Sequence, residues 1–211
     1  MNLSILNLKA LKSEVLRTSP YEWGVTEKTF VSGNAARSIT MTFPEKEFFG
    51  LVEREGGSKP YRMYRCTLVD TREKRRKDVP LPLPWEALLN EVQSSKYREA
   101  IELCAGLSLQ ECQIEVTAWE YRKSCWLSPH VDEAEKVVTQ VIYLNESWNP
   151  AWGGTLCILR GPTFKDTVEK ISPALGTSAI IVRSERSYHA VQKVTYPDAP
   201  PRRSLQVAFK R

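Results

Sequence analysis

From Gln113 onward, apolar and polar residues alternate in short runs. "QIEVTAWEY" (113–121), "KVVTQVIYL" (136–144), "GGTLCIL" (153–159), "SAIIVR" (178–183), "YHAVQKV" (188–194) and "RSLQVAFK" (203–210) all carry β-branched or aromatic residues at a period of two. Gly, Pro, Asn, Asp and Ser separate them, and most of the gaps are too short for a helical crossover. Strands joined so closely pair antiparallel, which predicts a sandwich, jelly roll or barrel. The first half reads differently. Leu3, Leu6, Leu11 and Val15 fall loosely on one helical face. Residues 60–69, "PYRMYRCTLV", suit a strand. "DVPLPLP" is a stiff connection, because each proline fixes its φ and lacks a donor. Trp85, Leu88, Leu89 and Val92 then mark a helical face that Tyr97, Ile101 and Leu103 continue, with Gly106 as its stop. The expectation is a mainly β protein with flanking helices: a single domain over 1–211, with supporting elements in 1–110 and a β core in 111–211.

Composition narrows the class. Hydrophobic residues make up 42% and charged residues 26%, which suits a globular chain with a buried core. The net charge of +5 is not gathered on an aromatic-rich patch, so no nucleic-acid partner is expected. The densest run, "REKRRKD" (72–78), is mixed in sign and reads as a solvated loop. No stretch reaches the length of a membrane span, and polar residues interrupt the opening "MNLSILNLKALKSEVL" where a signal segment would be apolar. The five cysteines are odd in number and match no zinc spacing, so a reduced, cytoplasmic protein is expected.

Histidine changes the picture most. There are only two. His130 stands in "SPHVDE", two residues before Asp132, so on extended backbone both side chains point to one side. His189 opens another predicted strand. Two neutral imidazoles and one carboxylate on one face of a metal are the donor set of non-haem iron(II) oxygenases, which leaves the other coordination positions for exchangeable ligands. Taken alone, the pair is explained as well by an exposed loop histidine and a satisfied, half-buried one. Arg202 and Ser204 also share a face, opposite Leu205, Val207 and Phe209. A guanidinium with a hydroxyl beside it suits the distal carboxylate of 2-oxoglutarate. A solvated arginine explains Arg202 equally well in isolation, and Arg203 adjoins it. Tyr143 could add a phenolic hydrogen bond to the same carboxylate, or simply pack in the core.

The order of these parts resembles the iron(II)- and 2-oxoglutarate-dependent dioxygenases, in particular their prolyl-4-hydroxylase-like branch, from about residue 113 to 210. "YRKSCWLSPHVD" resembles the family's tyrosine, spacer and His-x-Asp, with Tyr121 in the tyrosine position. "QVIYLNESWNPAWGGTLCIL" resembles the next two strands, "SYHAVQKV" the distal-histidine strand and "RRSLQVAF" the co-substrate strand. Ser124 departs from the pattern, since many members have glycine there.

The resemblance implies a double-stranded β-helix, or jelly roll. It implies iron(II) held by His130, Asp132 and His189, and 2-oxoglutarate held by Arg202, Ser204, Tyr143 and Tyr121. Dioxygen would be consumed, and an unactivated carbon hydroxylated with release of succinate and CO2. Asp132 argues for hydroxylation, or a desaturation or cyclisation by the same oxidant, rather than halogenation, because halogenating members lack this carboxylate. The expected substrate is a small molecule such as an amino acid or related metabolite, since no peptide-binding repeat or added domain is evident. A peptidyl, prolyl-type hydroxylase is the alternative. A metal-binding jelly-roll module without turnover is the alternative of another class. Trp126, Trp148 and Trp152 are candidate pocket aromatics, and Arg160, Arg183 and Arg186 candidate partners for a substrate carboxylate.

Overall fold

The computed structural model describes residues 4–71, 75–76 and 79–211. Leu3 and most of the charged run 72–78 lie outside the described residues. The element order is α1 (Leu8–Lys12), β1 (Trp23–Thr26), α2 (Gly33–Met41), β2 (Gly50–Arg54), β3 (Tyr61–Asp70), β4 (Arg75–Arg76), α3 (Leu83–Val92), α4 (Ser95–Ala105), β5 (Gln113–Tyr121), β6 (Trp126–His130), β7 (Lys136–Tyr143), β8 (Leu156–Leu159), β9 (Thr167–Ile171), β10 (Ser178–Val182), β11 (His189–Val191) and β12 (Arg202–Lys210). No described helix is long and apolar enough to cross a membrane.

The strands form one curled sheet in the order β1-β10-β7-β12-β5-β3-β6-β11-β8-β9, with β2 and β4 paired to β3. Every ladder is antiparallel, as the short connections predict. This is the jelly-roll architecture. Strand β3 turns the corner: it pairs with β5 along Tyr64–Asp70 and with β6 at Tyr61 and Arg62.

Period-two patterning decides which side of the sheet meets the helices. Ile114, Val116 and Ala118 of β5 and Leu205, Val207 and Phe209 of β12 pack in one core with Trp85, Leu88 and Leu89 of α3 and Tyr97 and Ile101 of α4. The alternate residues Tyr121 and Tyr143 belong to a second cluster on the concave side, with Met63, Leu156 and Val191. Two polar links tie helices to the rest. The Trp85 indole N–H donates to the Ile39 carbonyl at 3.0 Å, and the Tyr97 hydroxyl donates to Gln140 at 2.7 Å.

Several expectations are corrected. The N-terminal helix covers only Leu8–Lys12. The Ile5 and Leu6 amides donate to the Glu91 carboxylate, Leu6 bridges Phe30, and Val15 is 82% exposed. The helical stretch after Trp85 is two helices rather than one. Ser94, in extended backbone, caps α4 by accepting from the Tyr97 amide, so the helix restarts there. Leu103 is exposed and leaves the apolar face, while Gly106 ends α4 at φ +65° as expected. Strands β1, β2, β6 and β9 carried no clear signal; β6, "WLSPH", contains Pro129, which cannot donate to a ladder. β1 and β3, from the N-terminal half, are integral members of the sheet.

The turn from β5 to β6 explains the departure at Ser124. Its φ is +68°, and its amide donates to the Val194 carbonyl at 2.8 Å. A side chain in left-handed backbone costs about 1 kcal/mol that glycine avoids. Ser124→Gly is therefore expected to raise the thermal midpoint by about 2–4 °C, and Ser124→Val to lower it. A lower midpoint for Ser124→Gly in calorimetry would contradict this account of the turn.

Candidate metal centre and active site

His130 closes β6 and His189 opens β11. The two residues are direct partners across that antiparallel pair, and their ring centroids lie 4.3 Å apart. Each ring is fixed through Nδ1, which donates to the Ser128 carbonyl at 2.8 Å in His130 and to the Ser187 carbonyl at 2.9 Å in His189. That tautomer leaves both Nε2 lone pairs free on the same side. Asp132 follows with Oδ1 3.7 Å from His130 Nε2 and Oδ2 4.0 Å from His189 Nε2. All three residues are buried, and their ligand atoms lie within 4.8 Å of one another. Two imidazoles and a carboxylate so placed could hold one iron(II) ion on one face.

The electrostatics suit ligands rather than a simple ion cluster. Burial, and then the neighbouring His130, push the His189 pKa down to about 3, so its ring is neutral at neutral pH. Burial alone would raise the Asp132 pKa. The Lys136 ammonium, 2.8 Å from Oδ1, together with the two histidines, outweighs burial and holds the carboxyl well below its usual value. Lys136 shows the reciprocal effect: burial pulls it down, and Asp132 and Glu133 more than restore its charge. From the loop before β3, Lys59 reaches Glu133 at 2.9 Å and Asp132 at 3.9 Å.

A cavity of about 400 Å³ has His130, Asp132 and His189 in its wall, and Arg202 and Ser204 as well. Arg202 is only 2% exposed. Its guanidinium lies 4.9 Å from the Tyr121 ring and 5.2 Å from the Tyr143 ring, with Nη1 3.4 Å from Ser204 Oγ. Arg202 Nε and the Tyr143 hydroxyl are buried with no hydrogen-bond partner. Two orphaned donors cost about 1–3 kcal/mol each, so the site is built for an acceptor that satisfies both. Burial raises both tyrosine pKa values to about 12 against the opposing pull of Arg202, which keeps the phenols as donors. A carboxylate fits this end, and the same cavity wall carries the two histidines and Asp132. Tyr121 differs from the expectation in one respect: its hydroxyl donates to Met63 Sδ at 3.1 Å, so it is the ring that meets Arg202.

Other candidates lie elsewhere. Trp148 donates to the Gly153 carbonyl and packs edge-on against Trp152 at 5.3 Å, while Trp126 sits on β6 opposite Arg62; none of the three lines the cavity. Arg183 pairs with Glu185 and donates through Nε to the Asp132 carbonyl at 3.5 Å without lining the cavity, and Arg160 and Arg186 are exposed outside the cavity. Arg203 points away from the cavity, lies 4.7 Å over the Phe43 ring and pairs with buried Glu120 at 3.1 Å. No bulge interrupts β12 at its entry, so Arg202 and Ser204 share the concave face with Tyr121 and Trp119 opposite. Sequence reasoning missed Lys136, Lys59, Met63, Arg65 and Trp119 in the wall. The four-residue step from Asp132 to Lys136 was the one signal available for the first.

Residues 116–210 match the 2OG-Fe(II) oxygenase superfamily. Among solved structures, a prolyl-4-hydroxylase from Pseudomonas putida is similar over 97% of this chain and 96% of its own, with TM-score 0.63 and 17% identity. A Trichoplax adhaerens prolyl hydroxylase in complex with a hypoxia inducible factor peptide fragment is similar over 97% of this chain and 87% of its own, with TM-score 0.63 and 14% identity. A viral collagen prolyl hydroxylase from Paramecium Bursaria Chlorella virus-1, in its 2OG complex, covers 89% of this chain and 95% of its own, with TM-score 0.57 and 12% identity. No curated protein matches the chain by sequence.

His130→Ala and His189→Ala are each expected to abolish stoichiometric iron(II) binding, measured by metal analysis after anaerobic loading, because two remaining ligands hold the ion poorly. Retention of one iron per chain in both variants would remove the metal site. Arg202→Ala should raise the KM for 2-oxoglutarate about 30- to 1000-fold, the equivalent of losing a charge-assisted contact of about 2–4 kcal/mol. Arg203→Ala should lower the melting midpoint and leave that KM nearly unchanged. The reverse result would mean that the concave face of β12 is misassigned.

Proposed function

We propose that this chain is a 2OG-Fe(II) oxygenase that hydroxylates a residue within a peptide or protein, with proline the first target to test. The observation that carries the reading is the nearly full-length likeness to prolyl hydroxylases, one of them bound to a peptide fragment. The small-molecule expectation rested on the lack of a peptide-binding repeat or added domain. That reasoning loses its force when a prolyl-4-hydroxylase is matched over 96% of its own length.

The division of labour follows from the residues. When bound, iron(II) and 2-oxoglutarate supply the oxidation: one oxygen atom of O2 enters the substrate C–H bond, and the other enters succinate as CO2 leaves. His130, Asp132 and His189 would hold the metal through Nε2, a carboxylate oxygen and Nε2. Arg202 and Tyr143 would hold the far carboxylate of the co-substrate, with the Ser204 hydroxyl steadying the guanidinium. Leu127, Leu156, Ile181 and Val191 supply an apolar part of the wall, which limits water around the reacting groups. Lys136 keeps Asp132 ionised and oriented through its Oδ1.

The test is incubation of the iron-loaded enzyme with 2-oxoglutarate and a panel of proline-containing peptides, with free amino acids alongside. Succinate release and the gain of one oxygen atom by mass spectrometry are followed together. Peptide-dependent succinate with an oxidised peptide is the expected result. Oxidation of free amino acids alone would return the small-molecule reading. Absence of 2-oxoglutarate consumption under every condition would favour a binding module.

A further inference from the structure

The orphaned polar groups of the cavity fall into two sets. Arg202 Nε and the Tyr143 hydroxyl form the inner set, already assigned to the co-substrate. The outer set lies on β5: Trp119 Nε1 in the cavity wall, and Thr117 Oγ1 on the same side of the strand but outside the wall, both buried and without a hydrogen-bond partner. The sheet register places these groups in neighbouring rows. Trp119 lies between Ser204 on β12 and Arg65 on β3, and Thr117 pairs with Gln206. Arg65, Trp119 and Gln206 all line the cavity.

Arg65 is the unusual member. The other cations in the wall have acids: Lys59 has Glu133, Lys136 has Asp132, and Lys210 has Glu115 at 2.8 Å. Arg202 is the residue proposed to take the co-substrate carboxylate. Arg65 makes no hydrogen bond or ion pair with any described residue, and it is exposed to the cavity mouth. Iron(II) and the 2-oxoglutarate dianion together add no net charge, so loading the site leaves Arg65 unbalanced. An unpaired guanidinium beside an orphaned indole N–H and a free amide is a recognition surface for an oxyanion with two acceptor atoms.

We propose that Arg65, with Trp119 and Gln206, binds a carboxylate of the substrate and so sets specificity beside the reacting carbon. The inference rests on the oxygenase reading. Under the peptide reading, the carboxylate belongs to an acidic residue close in sequence to the target. A free small acid offers the same chemistry, and the experiment separates the two sources.

The probes are blocked, otherwise neutral peptides with one proline, in which a glutamate is walked through the flanking positions, each paired with its glutamine and lysine twins. N-acetyl-L-proline and its amide form a second arm. Binding is measured by calorimetry to the enzyme loaded with manganese(II) and 2-oxoglutarate, with thermal midpoints confirming that each variant folds. At one position the glutamate peptide should bind about tenfold or more tightly than its glutamine twin. Arg65→Gln should abolish that preference, and Arg65→Glu should transfer it to the lysine twin. The KM for 2-oxoglutarate should stay the same in both variants.

No carboxylate preference in either arm, or a preference that survives Arg65→Gln, overturns the inference. A raised KM for 2-oxoglutarate in Arg65→Gln also overturns it, by assigning the outer groups to the co-substrate. Arg65-dependent preference for N-acetyl-L-proline over its amide, with no peptide discriminated, keeps the carboxylate subsite and removes the peptide reading. Hydroxylated peptides with no dependence on Arg65 do the opposite.

Discussion

The pairing of His130 with His189 across β6 and β11 is the constraint on which the site depends. A slip of one residue would turn one imidazole to the other face of the sheet and leave Asp132 with a single partner. That pairing in turn depends on β3, whose first residues pair with β6 and whose remainder pairs with β5. Because β5 carries the register of β12, the same strand fixes how deep Arg202 sits relative to the histidines. The His130–His189 pair and Arg202 are thus placed by one backbone ladder, with Asp132 on the short segment that follows β6, which suits a site that tolerates little misplacement.

Inside the cavity, charge is kept in local pairs. Asp132 is buried deeply enough that, alone, it would favour its neutral form, which is a poor ligand. Lys136 prevents this at the cost of holding a second buried charge, and Glu133 with Lys59 extends the pair into a four-membered network. A buried ion pair contributes little to net stability, because desolvation offsets most of the attraction. Its value here lies in orientation and ionisation state. The inner orphaned donors follow a similar logic: Arg202 Nε and the Tyr143 hydroxyl remain unsatisfied within the fold and are complete only with an acceptor between them.

Much of this was legible in the chain. The period-two runs gave the strands and their antiparallel pairing, and the spacings of His130 to Asp132 and of Arg202 to Ser204 placed each pair on one side of the backbone. What could not be read was which side of each strand becomes concave. Arg65 and Trp119 sit on strands that were recognised, yet their membership of the cavity wall is settled by how β3 curls against β5. Trp126, Trp148 and Trp152 failed for the converse reason: their loops looked adjacent to the site, but their rings found other neighbours. Strand β6 was missed because Pro129 interrupts the donor pattern, although its neighbour His130 is the residue that matters most.

A sheet that curls without closing has free rims, and exposed backbone edges invite pairing between molecules. The outermost strands are built against this. β1 is only four residues long, and its outer side is partly occupied by the bridge from Arg17 to Trp23. β9, at the opposite rim, presents Glu169 and Lys170 in the middle of a five-residue strand. β2, which pairs with β3 alone, carries Glu53 and Arg54, the first of them salt-bridged to Arg62. With a net charge of only +5, long-range repulsion gives weak protection against self-association. The burden of keeping copies of this chain apart therefore falls on the shortness and charge of its rim strands, and an apolar replacement at Glu169 or Lys170 bears on aggregation before it bears on catalysis.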